Sequence, residues 1–381
     1  MDPLFDALAT RIRADEEAVI ALSRALLADP ETAFAEHRSA ARVAGVLADA
    51  GFAVEHGVAG VETAFLASYG SGPFTVALCI EYDALPSIGH ACGHNLIAGA
   101  SVAAALALAP YADELGISIR AIGTPAEEHG GGKTLLLEPG LLGDADIALM
   151  MHPLSEGLSV NPVGTSSQAV GRHRAIFHGR ASHAAAAPQD GRNAADAAVI
   201  AQVALGLLRQ QLPSDHRLAA YVEHGGEATN IIPDRVVVEF EFRTFSLPEF
   251  RSLQRRVYDC FRAGALATGT TVELEPTEPL YEPLEQDPTL AASWNTAMAH
   301  LGYDTTPGPG LSGGSTDMGN VSRRVPSLHP WVGIPGVTEP IHTVGFAAAA
   351  GTDAAFRVML DSALGLAWTA AEAAAEAARA H

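Results

Sequence analysis

Three short apolar runs, each ending abruptly in charge or in histidine, set the strongest limit on what this chain can fold into. They are FTVALCIEYD at 74–83, ISIRAIGTPAEEHGGG at 117–132 and ADIALMMHP at 145–153. Continuous runs of this kind are strands covered on both faces. Helical patterning lies between them, including LIAGASVAAALALAP at 96–110, which is short for a bilayer and reads as a buried helix. Buried strands alternating with helices predict an α/β domain with a mixed, mostly parallel sheet. In such sheets ligands bind beyond the strand C-termini, where Asp83, Glu127, Glu128 and His152 all fall.

The pattern changes between 168 and 280. RHRAIFHG predicts a strand, 192–211 an amphipathic helix, and RLAAYVEHG and RVVVEFEFRTF two alternating strands. A second amphipathic helix over 247–268 and the strand TTVELEP follow. This β-α-β-β-α-β order predicts a ferredoxin-like α+β domain, inserted as 168–280 into a domain built from 1–167 and 281–381. The first fifty residues read as helix, broken at Pro30 and Gly51. A long helix starts near 352, and its Ala-rich end at 367–380 reads as a surface helix.

At 381 residues the chain can bury two cores. Lys+Arg 23 against Asp+Glu 44 gives a net charge of −21, which argues against nucleic acid or an anionic membrane as partner. Cys79, Cys92 and Cys260 are odd in number and scattered, which points away from disulfides and toward a reducing cytoplasm. The charges of RIRADEE interrupt the N-terminal apolar positions, so no secretory core is expected.

In GHACGHN, Cys92 and His94 stand among glycines before a helix that Asn95 would cap, starting at Leu96. A helix N-terminus favours a thiolate, and Cys-x-His then suits a metal. In TPAEEHGGG the adjacent carboxylates Glu127 and Glu128 repel each other, so one is suited to hold a cation and the other to take a proton from an attacking water. Taken singly, Cys92 with His94 fits a buried core cysteine as well as a metal ligand, and Glu127–Glu128 fits a solvated acidic loop. With His152 of MMHP and His342 of EPIH they make a set of thiolate, imidazole and carboxylate. That set suits two borderline divalent ions such as zinc, manganese, cobalt or nickel.

The ordered motifs EYDALP, GHACGHN, PAEEHGGG, HP, SHAAAAPQDGRNAADA, TNIIPD, EFR, STDMGN and EPIHT resemble the M20 metallopeptidase family. The likeness is greatest to its amidohydrolase branch with a Cys-x-His metal motif and, within that, to the peptidase M20 domain-containing protein 2 type. It runs from ADPETAFAEHRSA to EPIHT. The resemblance implies a phosphorylase/hydrolase-like catalytic domain, metal ligands Cys92, His94, Glu128, His152 and His342, and Glu127 as general base and acid. Asp83 would orient a ligand histidine. The insert would be a lid through which two copies form a homodimer, with His183 reaching across to polarise the scissile carbonyl. Asn230 and Arg243 would hold a substrate carboxylate, Arg243 as a fork.

The reaction so implied is metal-dependent hydrolysis of a small amide, either a dipeptide or an N-acyl or aminobenzoyl amino acid. The alternative is a non-catalytic or accessory subunit that binds such a conjugate, and an intact Glu127 counts against it. Two positions depart from the amidohydrolase branch: Asn95 stands where it commonly has Asp, and Glu81-Tyr82-Asp83 where it commonly has Asp-x-Asp. His90 and His329 read as structural or supporting, and Cys79 as packing.

Overall fold

The computed structural model describes residues 2–380 apart from Pro139, Leu158, Pro309, Leu311 and Ser312. It divides into two units, Met1–Ser166 with Leu284–Ser312 and Thr316–His381, and Ser167–Pro283 with Gly313–Ser315. The chain opens with α1 (Pro3–Ala28) and α2 (His37–Asp49). It continues through β1 (Ala53–His56), β2 (Phe65–Tyr69), β3 (Phe74–Ile80), α3 (His94–Leu108), α4 (Ala112–Leu115) and β4 (Ile117–Gly123). The short α5 (Gly132–Leu135), β5 (Ile147–Leu149) and β6 (His152–Ser155) complete this stretch.

The second unit runs β7 (Ala169–His178), α6 (Ala194–Arg209), β8 (Arg217–His224), β9 (Arg235–Thr244), α7 (Leu247–Thr268) and β10 (Thr271–Pro276). The chain then returns with α8 (Pro288–His300), α9 (Met318–Ser322), β11 (Ser327–Leu328), β12 (Trp331–Ile334), α10 (Val344–Ala349) and α11 (Asp353–Ala380).

The apolar runs become neighbouring strands of one sheet, ordered β1-β2-β4-β3-β5-β11. Strands β4, β3, β5 and β11 run parallel, so β3 and β4 end on the same side. Strands β1 and β2 add an antiparallel edge. No apolar run marks β1, because an edge strand of four mostly exposed residues does not need one. Helix α3 is buried along its whole length, and its small residues let α1 and α11 pack against it. Trp294 of α8 is fully buried, and its indole N–H donates to the Val160 carbonyl at 2.9 Å.

Three expectations change. Helix α3 starts at His94 rather than Leu96, and its cap is Gly93 in the left-handed region. Asn95 lies inside the first turn, where its amide donates to Ser23 Oγ at 2.9 Å and to the Ala350 carbonyl at 3.1 Å, tying two distant segments to the helix start. His152 does not end β5. It opens β6, which pairs in parallel with β12. The Ala-rich end of α11 is not a surface helix over its first turns: Ala367, Ala370, Ala371 and Ala374 are buried. Alanine is uninformative in composition, but its small side chain is what closely approaching helices require.

In the second unit the sheet order is β10-β7-β9-β8, antiparallel throughout. Its core includes Phe177, Phe240, Phe242 and Phe261 with the inner faces of α6 and α7. This is the ferredoxin-like arrangement. Gly313–Ser315 join the unit, with Gly314 O accepting the Gln168 N–H at 2.7 Å and Ser315 Oγ accepting from Arg243 Nη1 at 3.3 Å. A three-residue return carries no signal in sequence.

Burial of the α11 tail makes it sensitive to volume. Ala370→Leu is expected to lower stability by about 1–3 kcal/mol through overpacking, whereas Glu376→Ala, at an exposed position, stays within about 0.5 kcal/mol. Denaturant unfolding of the two variants checks this, and equal, negligible effects would contradict the buried face.

Candidate metal centre

The centre lies beyond the C-terminal ends of β3 and β4. Glu81 and Asp83 follow β3 directly. After β4, Ala126 takes φ 61°, which turns the chain and presents Glu127 and Glu128. Glu36 at the start of α2 holds this turn by accepting the Ala126 N–H at 2.9 Å. Burial, then the nearby Asp83, pushes the Glu36 carboxyl up to about 7. The glycines behind the turn have a definite use at Gly132, where a Cβ would stand 1.9 Å from the Pro125 carbonyl oxygen.

Asp83 is the junction of the site. Its Oδ1 lies 3.1 Å from His94 Nδ1, and its Oδ2 accepts the Glu128 N–H at 3.0 Å. Burial works to raise the Asp83 carboxyl, but His94 and the N–H groups of Glu128 and Glu127 outweigh it and hold it below the usual range. With its Nδ1 hydrogen engaged, His94 presents Nε2 inward as a lone pair. Gly93 allows the step from Cys92 to His94: its φ is 76°, and a Cβ would meet Pro153 Cγ at 2.5 Å. His152 is set the same way, with Nδ1 at 2.8 Å from the Pro153 carbonyl and Nε2 at 3.3 Å from Cys92 Sγ.

The remaining side chains close around these. Glu128 Oε1 lies 3.8 Å from His94 Nε2, and Glu128 Oε2 lies 3.4 Å from His342 Nε2. His342 is half-exposed, adopts φ 63°, and is anchored by its N–H donating to the Ala91 carbonyl at 2.8 Å. Glu127 Oε2 is 3.8 Å from His94 Nε2. Three groups offer ligand atoms within 4.8 Å of one another: Glu81–His94–Glu127, and two built on one cysteine, Cys92–His94–His152 and Cys92–Glu128–His342.

The donors fit divalent ions. His94 Nε2 and Glu128 Oε1 are buried and find no hydrogen-bond partner among the described residues, a costly state that a cation relieves. Burial, then the Glu128 carboxylate, drives the Cys92 thiol well up, and burial with Glu81 and Glu128 does the same to Glu127. A cation opposes both shifts. The helix-terminus effect expected for Cys92 is therefore outweighed by its burial and then by its acidic surroundings.

All five proposed ligands and both Asp83 and Glu127 thus meet in the first unit. His183, Asn230 and Arg243 lie in the second. His183 is exposed, and its Nδ1 accepts the N–H groups of Ala185 and Ala186 at 3.2 and 3.1 Å. The same turn meets Asn230, whose carbonyl accepts the Ala184 N–H at 2.9 Å. Arg243 spends part of its fork on Glu241, at 2.9 and 3.2 Å. Cys79 packs at 3.9 Å from Met318 Sδ, and His329 is buried with its ring 5.8 Å from that of His152.

Sequence reasoning missed Glu36, Glu81, Lys133 and Asp317. Lys133 is fully buried, and its ammonium contacts Glu81 and Asp317. Its signal was available, because it is the single lysine among the chain's 23 Lys and Arg residues.

Comparison with known proteins bears on the family and the fold. The family model described as Peptidase family M20/M25/M40 matches residues 78–345. The chain is 39% identical over 380 residues to the Xaa-Arg dipeptidase of Mus musculus, covering 95% of this chain and 87% of that one. It is 32% identical over 294 residues to one subunit of the p-aminobenzoyl-glutamate hydrolase of Escherichia coli (strain K12), covering 72% and 60%. Among solved structures, an aminobenzoyl-glutamate utilization protein from Klebsiella pneumoniae has a TM-score of 0.72 at 20% identity, covering 96% and 98%. A dinuclear metal-binding M20 peptidase of Bacillus subtilis has 0.63 at 22%, covering 92% and 98%. These two share the fold.

The shared thiolate yields a stoichiometric prediction. Cys92→Ser is expected to lose both metal equivalents, whereas His342→Ala keeps the equivalent held by Cys92, His94 and His152. Elemental analysis of the purified, metal-loaded proteins checks this, with circular dichroism to confirm folding. Equal losses in the two variants would sink the division into two groups.

Proposed function

Because the chain belongs to peptidase family M20/M25/M40, a family of hydrolases of small amide and peptide bonds, we propose that its substrates are dipeptides, first among them those ending in a basic residue. The observation that carries the reading is Cys92 shared between two ligand groups with the buried Glu127 beside them. The basic residue is suggested by the similarity to Xaa-Arg dipeptidase over nearly the whole chain. Zinc, manganese, cobalt and nickel all suit the donors, and a reducing setting such as the cytoplasm keeps Cys92 available as a ligand.

Divalent ions held by these residues supply the charge that acidifies water and polarises a carbonyl. The remaining work belongs to the chain. Glu127 takes a proton from the attacking water and passes it to the leaving amine, for which a carboxyl pushed upward by its surroundings is suited. Asp83 fixes the His94 tautomer, and the Glu36-held turn at Ala126 fixes where Glu127 points. Glu127 in this position counts against a non-catalytic role.

The second unit offers the surface for a homodimer. Val199, Val203 and Leu207, spaced along one face of α6, are exposed beside Ile200, and β8 is an edge strand carrying exposed Tyr221 and Val222. An apolar helix face next to an open sheet edge suits pairing with a second copy. In that dimer His183 would serve the partner's site as donor to the carbonyl oxygen, with Asn230 and the Nη1 of Arg243 directed to the substrate carboxylate.

Hydrolysis of Xaa-Arg and Xaa-Lys dipeptides should exceed that of aminobenzoyl-glutamate when metal-loaded protein is assayed on both. The reverse order would overturn the substrate assignment. Glu127→Gln is expected to retain metal and to lose turnover on the order of a hundredfold or more; near-normal turnover would reduce Glu127 to an acidic neighbour.

A mixture of inactive His183→Ala and Glu127→Gln proteins under subunit exchange tests the dimer. Heterodimers hold one site free of either lesion, so up to roughly a quarter of normal activity should return if sites work independently. Verified exchange without recovery would reject the shared site.

A further inference from the structure

The chemistry above leaves one buried charge without a role. Lys133 is the chain's only lysine, every other basic position among the 23 Lys and Arg being arginine. It is fully buried on α5. Its ammonium is bonded to Glu81 Oε1 and lies 2.6 Å from Asp317 Oδ1, while its backbone N–H donates to Asp317 Oδ2 at 2.9 Å. A compact ammonium fits between two carboxylates where a planar guanidinium would not. Buried ionic clusters of this kind are weak sources of stability, since apolar replacements often do as well. A role for the charge itself is the better account.

The free side of Glu81 supplies it. Glu81 Oε2 is buried, finds no hydrogen-bond partner among the described residues, and lies 3.4 Å from His94 Nε2. Asp83 engages the other nitrogen of that ring at 3.1 Å, so Nε2 is the nitrogen left to face Glu81. A carboxylate oxygen and an imidazole nitrogen at this separation in a dry site need a positive charge between them, a proton or a metal ion. Glu81, His94 and Glu127 also offer ligand atoms within 4.8 Å of one another. Glutamate at position 81 is long enough to touch Lys133 with one oxygen and face His94 with the other.

We propose that Glu81 is a further side chain of the metal centre, facing the ion held at His94 Nε2, with Lys133 and Asp317 fixing it there. This rests on the metal centre described above.

The test measures metal dissociation constants of the full-length protein by chelator competition with zinc. Glu81→Gln should weaken one of the two ions at least tenfold and leave the other unchanged, and Lys133→Met should weaken the same ion. A purely structural triad would instead lower the unfolding temperature of the metal-free protein and leave both constants at wild type, which overturns the proposal. Glu81→Asp keeps the charge but withdraws it by one methylene, so it serves if Glu81→Gln does not fold. It should weaken the same ion, and unchanged constants overturn the proposal equally. His94→Ala separates the two levels. If it loses an ion and the Glu81 variants lose none, the role of Glu81 falls alone; if it too keeps both ions, the metal centre itself falls.

Discussion

The bond between Asp83 and His94 is the constraint on which the rest of the first unit depends. It joins the end of β3 to the first residue of α3, and the second oxygen of Asp83 reaches the backbone of Glu128 beyond β4. One buried carboxylate thus fixes three segments that meet only because β3 and β4 are parallel neighbours. It also decides the tautomer of His94, and with it the direction in which a lone pair is offered. A substitution here would disturb ligand, helix start and catalytic turn together.

Around that bond the protein gathers an expensive collection of charge. Glu81, Asp83, Glu127 and Asp317 are all buried, and among the described residues Lys133 is the fully buried ammonium that faces them. Glu81 Oε2, His94 Nε2 and Glu128 Oε1 find no hydrogen-bond partner among the described residues. Such a site is tolerable in a folded protein if cations complete it, and ion binding then adds to the stability of the folded state. The strain is local. Ala126 and His342, both at left-handed backbone positions, are held by backbone hydrogen bonds: the Ala126 N–H donates to Glu36 and its carbonyl accepts from Gly131, while the His342 N–H donates to the Ala91 carbonyl. The turn and the half-exposed His342 are therefore placed by the scaffold itself.

Part of the site was legible because Asp83, Glu127 and Glu128 follow strand ends, where a sheet must deliver them to one rim. Cys92, His94, Glu128, His152 and His342 could be read as ligands from residue type and position. What escaped was support. Glu36 lies 90 residues before the backbone N–H it holds, and Asp317 lies 184 beyond Lys133. No local pattern couples such pairs. Asn95 was misread for a related reason: its type and place fit a helix cap, but its partners Ser23 and Ala350 are distant in the chain.

Residue order alone carries the alternation of buried strands and helices, the β-α-β-β-α-β order of the second unit, and the candidate metal-binding side chains. These follow from local periodicity and residue chemistry, which need no knowledge of neighbours. Three-dimensional packing settled the rest: that Cys92 stands in two candidate ligand groups, that the first turns of the Ala-rich end of α11 are packed inside, and that a lone lysine balances Glu81 and Asp317. Those outcomes depend on which atoms come within a few ångströms across long stretches of chain. They are set by the filling of a particular core and by the cost of leaving a buried charge without a partner, and neither is encoded in any single window of residues.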